Sequence, residues 1–89
     1  MYLNFTTQEV LERISRHCPE ALSVYLQCIN RADGNGEIQF GKNLIEIDLS
    51  ENFRSFRSNI KKLARENLLS WAPIDNGLHV TLADLNEDE

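Results

Sequence analysis

The 89-residue chain has little of what marks membrane, secreted, metal-binding or catalytic proteins. Cysteine occurs only at Cys18 and Cys28, in helix-like surroundings and not at the spacing of a metal pair or a redox motif. Both read as reduced, structural thiols. The two histidines, His17 and His79, lie far apart, and neither has a ligand or catalytic partner one helical turn away, so no metal site and no cofactor is expected. The longest apolar-leaning stretch, 21–29, is broken by Ser23 and Gln27 and falls well short of the roughly 20 residues of a membrane span. Met1-Tyr2-Leu3-Asn4-Phe5 lacks the basic start, apolar run and small-residue cleavage site of a signal peptide, so a cytoplasmic protein is expected. There is no phosphate-binding glycine loop and no nucleophile motif. Gly34-Asn35-Gly36 is long enough only for a turn, and nothing supports an enzyme.

What is present is one core's worth of apolar residues, 42% of a chain too short for two cores. The charge is unevenly distributed. The net value is −5, which argues against indiscriminate binding to polyanions. Yet residues 52–67 carry Arg54, Arg57, Lys61, Lys62 and Arg65 against the single acid Glu66, a local balance of +4 that leaves −9 for the rest.

Periodicity supplies the elements. Thr6-Thr7-Gln8-Glu9 forms a capping box with Phe5 and Val10 as its staple, and Val10, Leu11, Ile14 and Cys18 make one narrow stripe, giving an N-terminal helix over 6–18. That stripe packs either on the chain's own core or across a two-fold axis. Pro19 suits the first turn of a second helix reaching about Ala32, with Leu22, Tyr25, Leu26 and Ile29 as its main face and Ala21, Val24 and Cys28 widening it. Asp33-Gly34-Asn35-Gly36 is a turn, and the alternation of Glu37-Ile38-Gln39-Phe40 a short strand. Leu44, Ile45, Ile47 and Leu49 fit a short helix or a strand over 41–49, and helix is preferred. A third helix, capped at Ser50 or Asn52, puts Phe53, Phe56, Ile60, Leu63 and Ala64 on one face. At 100° per residue its cations share the exposed side, with Arg57 at the seam. Asn67 is a left-handed helix stop, and residues 68–82 form a hairpin turning at Asn76-Gly77, in which Trp71 faces Leu78 and Val80 as core. One domain over 1–83 is expected, with a disordered acidic tail over 84–89.

Helix, helix, short strand, short helix, turn, basic helix and hairpin, together with Ile60-Lys61-Lys62-Leu63-Ala64-Arg65-Glu66-Asn67-Leu68-Leu69, resemble the winged helix-turn-helix family. The resemblance covers residues 19–82, and within it the stretch from Asp33 to Gly77 is most similar to the winged-helix domains of small prokaryotic, plasmid and phage regulators and replication proteins. It implies an α+β fold of three core helices, a short strand and a C-terminal wing, to which helix 6–18 is an addition. Asn67 departs from the family's usual glycine. Asp75 and Asn76 occupy the wing turn where many relatives carry cations, which leaves open whether the wing touches DNA or a protein partner.

The resemblance further implies a sequence-specific regulator of transcription or replication that binds double-stranded DNA, with helix 52–66 in the major groove. Asn52, Arg54, Ser55, Arg57, Ser58 and Asn59 occupy the groove-facing part, Arg54, Ser55 and Ser58 being the candidate base readers. Lys61, Lys62 and Arg65 lie further along as phosphate contacts, and Lys42 is a further backbone contact. Tight binding by so small a domain would call for a homodimer on two half-sites. Two alternatives stay open: a merely solvated basic face, and a non-catalytic adaptor or inhibitor that turns the same face to an acidic protein partner.

Overall fold

A computed structural model describes residues 7–83 of the chain. The expected capping box and staple at 5–6 and the tail at 84–89 lie outside the described residues. The architecture is α+β: α1 (Thr7–His17), a 3-10 turn (Pro19–Ala21), α2 (Leu22–Arg31), β1 (Glu37–Gly41), a π-helical turn (Leu44–Asp48), α3 (Phe53–Arg65), and a hairpin of β2 (Leu69–Ile74) and β3 (Gly77–Leu82). The strands form one antiparallel sheet in the order β1-β3-β2. The helices cover one face of it, so the core is the layer between them. Val10 and Ile14 of α1, Val24 and Tyr25 of α2, Ile38 and Phe40 of β1, Phe56, Ile60 and Leu63 of α3, and Leu78 and Val80 of β3 all lie within it. The Phe40 and Phe56 rings meet edge-on, with centroids 4.9 Å apart, and join sheet to helix layer.

The stripe of α1 is buried on the chain's own core, which resolves the choice between core and two-fold axis in favour of the core. The orientation of α2 corrects the reading of its main face. Ala21, Val24, Tyr25 and Cys28 point inward, while Leu26 and Ile29 are 41% and 39% exposed. A helix apolar nearly all round gives no angular signal. Packing beneath the helix decides instead, and it takes Ala21 of the preceding turn with Val24, Tyr25 and Cys28.

Segment 42–48 is helical, with β1 taking Gly41. Its last turn is wide: Leu49 N–H donates to the Leu44 carbonyl and Glu51 N–H to the Ile45 carbonyl, at 3.0 and 2.9 Å. In that wide turn Ile45 faces inward and Ile47 is 69% exposed.

Of the two caps considered for α3, Asn52 is the one used: its Oδ1 accepts from Ser55 N–H at 3.0 Å. At the other end Asn67 adopts φ 64°. Leu68 N–H donates to the Leu63 carbonyl and Asn67 N–H to that of Ala64, at 3.2 and 3.0 Å. This is a Schellman stop, with Leu63 and Leu68 both buried as its apolar pair.

The hairpin turns one residue earlier than expected, because Ile74 pairs with Gly77 and leaves Asp75-Asn76 as the loop, Asn76 carrying the positive φ of 57°. Gly77 is needed inside the strand instead. Opposite Gly41 in the register, a Cβ there would stand 2.2 Å from the Phe40 carbonyl oxygen. That close approach lets Lys42 N–H donate to the Asn76 carbonyl at 2.7 Å, fastening the hairpin tip to the start of the helical turn. Pro73 sits in β2, an edge strand, where its missing N–H leaves no central pairing unmet.

Candidate nucleic-acid interface

Helix α3 buries Phe56, Ile60 and Leu63 and turns its other side outward. Arg54, Ser55, Ser58, Lys61 and Arg65 are exposed, and Arg57, Asn59 and Lys62 half-buried on the two flanks. Arg54, Ser55, Ser58, Asn59 and Lys62 border one open concavity together with Glu20. Lys42, Asn52, Phe53 and Arg54 border a second, with Glu46 on its rim. The ten residues singled out from the sequence therefore lie on and beside one helix, with Lys42 brought alongside by the turn after β1.

The two flanks differ electrically. On the side of α1 and the 3-10 turn, charges are neutralised within the chain. Lys62 Nζ donates to Glu20 Oε2 at 2.5 Å, and this bond holds the Glu20 carboxyl below its ordinary pKa. Glu66, at the end of α3, receives His17 Nδ1 at 3.1 Å and Arg13 Nε at 3.2 Å on one carboxylate oxygen, while Arg13 Nη2 donates to its carbonyl at 2.7 Å. The hydrogen bonds from His17 and then Arg13 depress the Glu66 pKa. These contacts tie α1 to the C-terminus of α3. Lys62, expected beside Lys61 and Arg65 as a phosphate contact, is thus engaged by an acid 42 residues away.

On the opposite, sheet-facing flank the cations meet rings instead of acids. Lys42 Nζ and Arg57 Cζ stand 6.0 and 5.9 Å from the centroid of Phe53, and Lys61 Nζ stands 5.9 Å from that of Trp71. Arg54, Arg57, Lys61, Arg65 and Lys42 make no ion pair among the described residues. Sequence reasoning assigned Phe53 and Trp71 to the core. Both do pack against it while remaining half-exposed. The i, i+4 spacing of Phe53 and Arg57 was a usable signal for one of these contacts. The other two depend on tertiary placement.

Both thiols are buried. Burial pushes the Cys28 thiol up to about 12 and raises that of Cys18. No group of three metal-ligating side chains occurs among the described residues, and no helix there is long and apolar enough to cross a membrane. No protein-family model, curated protein or solved structure matches the chain.

Proposed function

We propose that the chain is a winged helix-turn-helix domain that binds double-stranded DNA as a small, non-catalytic regulator of transcription or replication, with α3 in the major groove. The observation that carries this reading is the set of five cations, Arg54, Arg57, Lys61, Arg65 and Lys42, held outward without acidic partners among the described residues of an acidic chain. The element order and the strand order β1-β3-β2 support the family assignment, with the π-helical turn and α3 as the helix pair and β2-β3 as the wing. With its side chains α3 is about 10–12 Å across, which matches a major groove about 12 Å wide. Arg54, Ser55 and Ser58 are the base readers and Lys61 and Arg65 the phosphate contacts. Glu46, Glu51 and Asp75 would repel a misplaced phosphate, favouring a particular seating over indiscriminate binding.

Fluorescence anisotropy with duplex DNA at two salt concentrations tests this. Arg54→Ala/Arg57→Ala weakens binding, and Lys61→Ala and Arg65→Ala each reduce the salt slope by about 0.9, the value per neutralised phosphate. Lys62→Ala changes the slope least, because Glu20 already holds that cation. Absence of duplex binding by the wild type at low salt would refute the reading.

A second reading, a protein-interaction module, draws on Leu26 and Ile29, exposed one turn apart on α2. A stoichiometric protein complex lost in Leu26→Ser/Ile29→Ser, without DNA binding, would select it.

A further inference from the structure

The faces of Phe53 and Trp71 are turned to cations, and this shapes what the sheet-side flank of α3 can hold. Phe53, Arg57 and Lys61 follow one another at i, i+4 along α3, about 6 Å apart in rise. Lys42 joins the row at its start, its ammonium over the Phe53 ring, and Trp71 of β2 closes it at the other end. A long cationic side chain loses rotamer freedom when it binds an anion. A cation already resting on a ring has part of that ordering in place. The rings present their cations rather than a bare stacking surface, so the ligand they suit is a spaced row of anions and not an unpaired base. On the opposite flank Lys62 is neutralised by Glu20, which leaves the sheet side as the electrically open one.

We infer that Phe53 and Trp71 are positioning residues that hold Lys42, Arg57 and Lys61 as a clamp for the phosphates of one DNA strand along the sheet-facing flank of α3. The inference rests on the reading of α3 as the DNA-binding helix and adds which backbone contacts it makes and what holds them.

The test compares Phe53→Leu, which removes the ring and keeps every charge, with Phe53→Tyr, which keeps both, using anisotropy of a labelled duplex of mixed sequence at low salt. Phe53→Leu weakens binding about threefold at an unchanged salt slope, the scale of ordering one long side chain at an interface, and Phe53→Tyr restores it. Lys42→Gln/Arg57→Gln lowers the slope by about 2. Trp71 is the chain's one tryptophan, so its emission shifts when wild-type protein is saturated with duplex, and Lys61→Gln abolishes the shift. Should Phe53→Leu fail to fold by circular dichroism, Trp71→Leu against Trp71→Phe repeats the comparison at a half-exposed strand position. Duplex binding by Phe53→Leu, or by Trp71→Leu in its place, as tight as wild type overturns this inference while leaving the DNA-binding reading in place. No duplex binding by wild type overturns both.

Discussion

Gly41 and Gly77 face each other in the β1-β3 register, yet the structure gives them opposite tolerance for a side chain. A Cβ on Gly41 meets nothing within 4 Å, whereas one on Gly77 would lie 2.2 Å from the Phe40 carbonyl oxygen and 3.0 Å from the Gly41 Cα. The obstructing atoms are backbone, so no rotamer change relieves the overlap and the hairpin itself must move. Overpacking of this kind costs about 1–3 kcal/mol. Moving the tip also stretches the bond from Lys42 N–H to the Asn76 carbonyl, worth about 1 kcal/mol. Gly77→Ala is therefore destabilising by about 3 kcal/mol, a large share of the roughly 5–15 kcal/mol that holds a domain together. For a domain of this size that lowers Tm by about 12–24 °C. Gly41→Ala has no such clash and restricts the unfolded chain, so it falls within about 1 kcal/mol of wild type. Urea denaturation followed through Trp71, in the strand next to β3, measures both. Equal stability of the two variants would refute the argument.

Asn52→Ala removes the Oδ1 that accepts from Ser55 N–H and lowers stability by about 1 kcal/mol, read by the same denaturation. Glu66 has a depressed folded-state pKa, so its contribution is present above the ordinary carboxylate pKa and lost as pH falls through the folded value. Thermal melts from neutral to acid pH should show wild type losing more Tm on acidification than Glu66→Gln. Cys28, buried and with its thiol pushed up to about 12, should resist alkylation at mildly alkaline pH in native protein and react once the chain is unfolded.

What could be read from the sequence was local. The inward stripe of α3 recurs within one or two turns, and its Asn52 cap and Asn67 stop use residues whose side chains or left-handed tolerance announce them. The basic side of α3 followed from the same periodicity. Missing were features fixed by distant segments. The rotation of α2 depends on what lies beneath it, since Leu26 and Cys28 are both apolar and only packing decides which faces in. The hairpin turn slipped by one residue because Gly77 reads locally as turn chemistry, whereas its glycine is required by Phe40, 37 positions earlier. The division of the cations into a flank neutralised by Glu20 and a flank seated on rings joins α3 to the 3-10 turn, to Lys42 and to β2.

The bond between Lys42 and Asn76 makes the hairpin tip something other than a flap. A two-stranded ribbon anchored only at its base swings on the nanosecond-to-microsecond scale of loops. This one has β3 paired with β1 from Glu37↔Thr81 to Gly41↔Gly77, and the Lys42 bond carries that pairing on to the tip, at the residue whose side chain shares the Phe53 ring with Arg57. The tip is thereby held as part of the sheet, and the Lys42 amide should be among the slower backbone protons to exchange with solvent.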